Sequence, residues 1–271
     1  MRLPKTSRPV GTELPEIYLG RGDYAAGGAR SLPFLDLDCA RRRRPLVLGE
    51  VTDDLSHYPE LAASMFSGRQ TDPAEWAVMW KELGADGVCL RLHGKDTGRA
   101  VELVRTVSDR TRLPVAVDAD DGVLKAVASG IDGSVLLLMT DSHFGGSHVS
   151  VVRCRDADDA AERLEDAPDN TMVSFEPRPL GDDIGTFCDS MREYRARGLS
   201  GDGSCRFPMV ADVTCAWEHG DAVRGDDARR ISLWEASGAL TAMLAGADIL
   251  IVKGPGAADM ARVYGEELAD L

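Results

Sequence analysis

The sequence is poor in aromatic residues, 6% of 271, and has no apolar run approaching the roughly 18 residues that a membrane span needs. Its opening residues, "MRLPKTSRPVGTELPE", lack the apolar stretch of a secretory signal, so a cytoplasmic location with no membrane partner is expected. A cationic surplus is missing too. With 31 basic against 45 acidic residues the net charge is -14, which disfavours nucleic acid and anionic membranes as partners. The single basic cluster, "RRRR" at 41–44, reads as a solvated turn before a strand starting at Pro45. The six cysteines (Cys39, Cys89, Cys154, Cys188, Cys205, Cys215) contain no CxxC pair, which excludes a zinc ribbon or an iron-sulfur cluster held by this chain alone. All six are expected to be reduced and structural. The glycine-rich phosphate fingerprint of an open dinucleotide-binding sheet is also lacking, because "GEVTDDLSHY" follows the first strong apolar run.

What the chain does contain is repetition. Eight short runs rich in Val, Ile and Leu recur at 45–51, 86–92, 113–119, 134–140, 148–154, 171–177, 207–213 and 247–253. Most are continuous rather than alternating, as expected of parallel strands covered on both sides. Between them lie segments of helical period. In "TDPAEWAVMWKELG", Trp76, Met79, Trp80 and Leu83 fall at i, i+3, i+4 and i+7; Asp72 and Glu75 form a capping box, and Pro73 takes the first helical position. The same pattern predicts helices over 97–109, 121–129, 156–166, 182–197, 229–245 and 256–269. Strands alternating with helices predict a (β/α)8 TIM barrel over 45–271, preceded by an extension, 1–44, that packs on it. One joint is too short. Only "DSHFGGS", 141–147, separates the fourth and fifth strands, so the barrel is expected to be irregular there, lacking a helix unless one run is misassigned.

Three stretches repeat Gly-x-Asp before a strand: Gly84 with Asp86, Gly130 with Asp132, and Gly246 with Asp248. The glycines read as left-handed helix C-caps and the aspartates as loop residues on the stability face of the barrel. Chemistry in such a barrel sits at the opposite end, where strands stop. Those ends supply Glu50, Asp53, Arg91, His93, Asp118, Asp120, Asp141, His143, Arg153, Arg155, Glu176, Arg178, Asp212, Thr214 and Lys253, a polar mouth of mixed charge. His93, His143 and His148 with Asp118 or Asp141 lack metal-ligand spacing and read as polar lining. Lys253 has no visible device for lowering its pKa, so a Schiff-base role is not favoured. Glu50 and Glu176 are a candidate acid-base pair whose separation the sequence leaves open. Trp217, in "CAWEHGD", is placed at the mouth, where its ring would pack on a cofactor edge or a partner, or else fold back on a helix.

Several ordered motifs resemble one family. "GGARSLPFLDLD" (27–38), "RPLVLGEVTDD" (44–54), "DPAEWAVMWKELGADGVCLRL" (72–92) and "LWEASGALTAMLAGADILIVKGPGAADM" (233–260) are similar to the small subunit of the corrinoid/iron-sulfur protein, the delta subunit of acetyl-CoA decarbonylase/synthase. The resembling positions are Gly27, Gly28, Leu32, Pro33 and Phe34; Pro73, Trp76, Ala77, Gly84, Ala85 and Asp86; and Trp234, Glu235, Gly246, Ala247, Asp248 and Pro255. The resemblance implies a TIM barrel that caps cobalamin at a subunit interface without being catalytic itself. A large corrinoid subunit carries the 4Fe-4S cluster, a methyltetrahydropterin methyltransferase supplies the methyl group, and acetyl-CoA synthase receives it, as in the anaerobic Wood-Ljungdahl pathway. On that reading Asp118, Asp120, Asp141, His143, Glu176, Asp212, Thr214 and Trp217 are the expected cofactor-binding residues. The loops "DADDGVLKA", "DSHFGGS" and "PRPLGDDIGTF" depart from the family pattern. They leave as the alternative a pterin-dependent barrel methyltransferase in which Asp118, Asp141 or Asp212 hydrogen-bonds the pterin, or a divergent paralogue with a scaffold role.

Overall fold

The computed structural model describes residues 14–28, 43–56 and 58–270. A short antiparallel hairpin, β1 (Glu16–Leu19) and β2 (Tyr24–Gly27), comes first. Eight parallel strands then close into a barrel: β3 (Leu46–Thr52), β4 (Gly87–Leu92), β5 (Val115–Ala119), β6 (Leu137–Thr140), β7 (Val149–Cys154), β8 (Thr171–Phe175), β9 (Met209–Asp212) and β10 (Ile249–Val252), with β10 pairing β3. The eight apolar runs are therefore all barrel strands, and the open-sheet alternative is excluded. Helices α1 (Glu60–Ser64), α2 (Pro73–Glu82), α3 (Thr97–Thr111), α4 (Asp121–Gly130), α5 (Ala157–Arg163), α6 (Ile184–Leu199), α7 (Ala228–Ala245) and α8 (Pro255–Asp270) surround it. No helix among the described residues is long and apolar enough to cross a membrane. Residues 29–34 of the Gly-Gly segment, Cys39, and Arg41 and Arg42 of the basic cluster lie outside the described residues.

The period of two along each strand sorts its side chains into two cores. Leu46, Leu48, Cys89, Ala116, Leu137, Met139, Val149, Val151, Met172, Val210, Ile249 and Ile251 fill the barrel, while the intervening positions pack under the helices. Ile17, Leu19 and Ala26 of the hairpin join the inner core and plug the end of the barrel where strands begin. "RGDY" is simply the hairpin turn: Gly20 and Gly22 have φ of 62° and 93°, and Gly20 pairs with Val135 in the loop before β6.

The short joint is real. Residues 141–148 run from β6 to β7 with no helix, and the two strands still pair in parallel. The descending loop covers the outside of β7 itself: Phe144 packs against the outer core and its N–H donates to the Ser150 hydroxyl at 2.9 Å. Asn170 donates to the carbonyls of Gly146 and His148, fastening the lower half of the loop.

Two of the three Gly-x-Asp repeats are strand staples. The Asp86 carboxylate accepts the Val47 N–H at the start of β3 at 2.8 Å, and its own N–H donates to the Val47 carbonyl. Asp248 makes the same ring with Met209 at the start of β9, again at 2.8 Å. Each carboxylate also takes an arginine: Arg44 binds Asp86 through both terminal guanidinium nitrogens, and Arg195 reaches Asp248 at 2.8 Å in a buried pair. Gly84 and Gly246 have φ of 82° and 106°, as the C-cap reading requires. Gly130 corrects it. This glycine is the last residue of α4, is followed by Ile131 in extended conformation, and Asp132 is exposed, because Gly133 supplies the left-handed turn instead.

Helix α2 shows why the Trp-containing motif folds as it does. Asp72 caps it by accepting from the N–H groups of Ala74 and Glu75, but Glu75 pairs with Arg110 and Arg69 rather than completing the box. Its buried face is Ala74, Trp76, Ala77 and Trp80, whereas Leu83 at the last turn is 39% exposed. Trp76 meets Tyr58 and Phe66 with ring centroids 5.0 Å apart, and Trp80 lies flat over Gly49 of β3.

Candidate functional site

Continuing the inward phase of each strand by two residues changes its chemistry from apolar to charged. Above the inner core stand Glu50 (β3), Arg91 (β4), Asp118 (β5), Arg153 (β7), Ser174 (β8) and Asp212 (β9), with Lys253 just past β10. Arg91 is their centre. Its Nε donates to Glu50 at 2.6 Å, one terminal nitrogen to Asp118 at 2.5 Å, and the other to Asp212 and, at 3.3 Å, to the Thr214 hydroxyl. Arg153 holds the second oxygen of Asp118, and Lys253 lies 3.3 Å from the second oxygen of Glu50. Three carboxylates thus face three cations. Burial works against the Arg91 charge, but Asp212, Glu50 and Asp118 raise its pKa well above the ordinary arginine value. Burial likewise opposes ionisation of Asp212, yet Arg91 and the hydrogen bonds from Thr214 outweigh it and lower its pKa. The mouth therefore contains a fixed, fully ionised pair around which a ligand must arrange itself.

Arg91 and Asp212 form a partition. On one side is a chamber of about 370 Å³ with Met139, Cys154, Phe175 and Pro177 as apolar walls and Asp118, Asp141, Ser174 and Arg153 as polar ones. On the other is a chamber of about 440 Å³ bounded by Glu50, Tyr58, Thr214, Cys215, Glu218 and Lys253. Glu176 and Pro177 border both. Both volumes suit small organic ligands. Burial pushes the Cys215 thiol up to about 12, so it is an inert wall rather than a nucleophile. Lys253 is engaged by Glu50 and sits over the Tyr58 ring, 5.0 Å from its centroid.

Of the expected cofactor-binding residues, the structure gathers Asp118, Asp141, Glu176, Asp212 and Thr214 at the mouth. Asp118 and Asp212 are inner walls, Asp141 lies on the rim with 78% of its side chain exposed, and Glu176 pairs with Arg178 at 3.2 Å. His143, placed at the mouth by the sequence reading, is not there. The descending loop carries it down the outside of the barrel to the Thr171 hydroxyl at the start of β8, 3.4 Å away. Asp120 is an exposed helix-cap position outside both chambers. Trp217 folds back: it is 4% exposed and its indole N–H donates to Glu235 at 3.0 Å. His148 is buried near the start of β7, accepting from the Leu136 N–H and bonded to the Ala128 carbonyl, and no metal-holding group of His, Cys, Asp or Glu occurs among the described residues. Glu50 is tied to two cations, so the pairing of Glu50 with Glu176 as acid and base has no support in the contacts.

The Trp-Glu motif of α7 acts from beneath. Glu235 is fully buried and accepts from the N–H groups of Lys253 and Gly254 as well as from Trp217, fixing where β10 ends and Lys253 emerges. Burial raises its pKa from 4.5 to about 7, against the three donors that favour the charged form. Because the folded state keeps this proton more tightly, the contribution of Glu235 to stability is complete below pH 4.5 and is lost as pH rises through about 7. The stability difference between wild type and Glu235→Gln should therefore fall by about 3 kcal/mol from pH 4.5 to pH 8, measured by urea denaturation. A flat difference would mean that Glu235 is ionised throughout.

No protein-family model and no curated protein matches the chain. Solved structures do. Dihydropteroate synthase from Thermus thermophilus in complex with 6HMPPP has a TM-score of 0.58 at 18% identity, over 93% of this chain and 98% of that one. The enzyme from Xanthomonas albilineans in complex with 7,8-dihydropteroate has a TM-score of 0.57 at 18% identity, over 83% and 94%. The Yersinia pestis enzyme in a sulfonamide drug complex has 0.54 at 15%, over 93% and 98%. At these identities the likeness is one of fold, a (β/α)8 barrel followed over nearly its whole length.

Proposed function

We propose that this chain is a pterin-binding barrel protein acting in pterin-dependent methyl transfer, with the pterin ring in the 370 Å³ chamber beside Arg91. The observation that carries the reading is the pair of strand-end carboxylates, Asp118 and Asp212, on the inner wall of a chamber that also offers the apolar surfaces of Met139, Phe175 and Pro177. A pterin is flat and presents adjacent N–H donors along its aminopyrimidine edge. Carboxylates match that edge, and Met139, Phe175 and Pro177 suit its faces. Asp118 already accepts from Arg91 and Arg153, and Asp212 from Arg91 and twice from Thr214, but an ionised carboxylate has about four lone-pair sites, so each keeps some acceptor capacity, Asp118 the more. Arg91 orients both groups and keeps Asp212 ionised, so they need no rearrangement when the ring arrives. The 7,8-dihydropteroate and 6HMPPP bound by two structural neighbours support the same ligand class.

The corrinoid-cap reading uses the same mouth. What favours the pterin is that the resembling motifs within the described residues serve the framework: Trp76 packs beneath the barrel wall, Asp86 and Asp248 staple strands, and Glu235 fixes the end of β10. Calorimetric titration with pterin and, separately, with hydroxocobalamin tests the two. Pterin should bind with a Kd on the order of micromolar, and Asp118→Asn should weaken it by about tenfold or more while circular dichroism shows the barrel intact. Cobalamin binding without pterin binding would sink the reading.

A further inference from the structure

Three arginines rim the pterin chamber on its β7 side. Arg153 and Arg155 alternate at the end of β7, and Arg163 reaches the same place from α5. Arg163 donates to the carbonyls of Arg153 and Asp141, which joins the ends of β6 and β7 where the missing helix leaves them unsupported. Asp159, 11% exposed, accepts from Arg155 at 2.7 and 3.2 Å and lies 3.7 Å from Arg163. Arg153 leans on Asp118, which Arg91 already engages, and lies 3.9 Å from the exposed Asp141. The three guanidinium groups thus share Asp159, part of Asp118 and the exposed Asp141. Arg153 and Arg155 have side chains 40% and 77% exposed; Arg155 donates to Asp159 through Nε and one terminal nitrogen, and Arg153 to Asp118 through one terminal nitrogen, so each has a further terminal nitrogen to offer a ligand.

We propose that this rim binds an anionic substituent, a carboxylate or a phosphate, on the molecule whose ring lies in the chamber; the assignment rests on the pterin reading. The inner wall offers acceptors and apolar faces to a heterocycle, and the outer edge offers guanidinium forks that suit a planar or tetrahedral oxyanion. A pterin oriented with its aminopyrimidine edge toward Asp118 and Asp212 directs its far side outward, toward Arg155, while Arg153 stands beside Asp118 and flanks the ring.

Calorimetry with 6-hydroxymethylpterin, pterin-6-carboxylate and the phosphate ester of 6-hydroxymethylpterin tests this on the full chain. At least one anionic ligand should bind about tenfold more tightly than the neutral one, and the gain should shrink with added salt and disappear in Arg155→Gln. Which anion gains identifies the carboxylate or phosphate source. Equal affinity for all three, or a gain that survives in Arg155→Gln together with Arg153→Gln, overturns the anion site while leaving the pterin reading intact. If none of the three binds, the pterin reading falls, and phenyl phosphate and benzoate decide the rim alone: binding lost in Arg155→Gln supports it, and no binding overturns it.

Discussion

Replacing Arg91 by methionine should lower stability at pH 7 by about 3 kcal/mol and abolish pterin binding. The arginine serves Glu50, Asp118 and Asp212 at once, and their side chains are only 3%, 21% and 14% exposed. Lys253 would still serve Glu50 and Arg153 would still serve Asp118, so Asp212 is the group left without a cation. This places the effect at the lower end of what breaking a buried ion pair costs. Its pH dependence has a definite sign. In wild type Arg91 lowers the Asp212 pKa, so the stability this carboxylate adds is present above its unfolded value and lost on acidification. In the variant burial acts unopposed by Arg91, Asp212 takes up a proton more readily, and the deficit relative to wild type should narrow from pH 7 to pH 4. Arg91→Lys should recover only part of the loss, because a point charge cannot meet three carboxylates in fixed directions. Asp212→Asn in the Arg91→Met background should recover more. Urea denaturation at both pH values checks all of these, and a variant within 1 kcal/mol of wild type, about the worth of a surface pair, would show that the cluster is solvated rather than structural.

The polar ring around Arg91 was partly legible. The rule that chemistry sits where apolar strand runs end picks out Glu50, Arg91, Asp118, Arg153, Asp212 and Lys253, though not Ser174. Period two would have separated them from outward neighbours, because each lies two residues beyond an inner-core position such as Leu48, Cys89, Ala116, Val151, Val210 or Ile251. The hub was not legible, since Arg91 and Asp212 are 121 positions apart and their contact depends on barrel closure. The same rule fails at His143 for a related reason: in a loop that returns beside its own strands, position after a strand end no longer measures height above the barrel. Trp217 could be read as mouth or as core, and Glu235, a charged residue within a helix, carried no sign that it would be the buried acceptor deciding between them. Helix α1 has only five residues and the hairpin strands four each, too short for any periodicity to show.

Gly49→Ala should cost about 3 kcal/mol or more, from the addition of one methyl group. Gly49 lies on the outward face of β3, and a Cβ there would stand 2.0 Å from Trp80 Cδ2 and 2.3 Å from Cε2. No side chain at this position fits unless the indole moves, and Trp80 is fully buried, with Phe66 against its ring at 5.2 Å. Its N–H donates to the Glu50 carbonyl at 2.9 Å, so moving the ring also sacrifices a buried hydrogen bond. That bond links framework to site. Glu50 is the next residue, its side chain holds Arg91 and Lys253 on the inner face, and a β3 pushed inward would displace the carboxylate on which both depend. The variant should therefore lose pterin affinity even under conditions where it remains folded. Gly122→Ala is the control: nothing lies within 4 Å of a Cβ there, the residue is helical, and alanine should stabilise α4 by about 0.5–1 kcal/mol. Urea denaturation of both variants, followed by pterin titration, separates the effects. A Gly49→Ala protein as stable as wild type would show that Trp80 can tilt away freely, and the proposed coupling of α2 to the charged ring would fail with it.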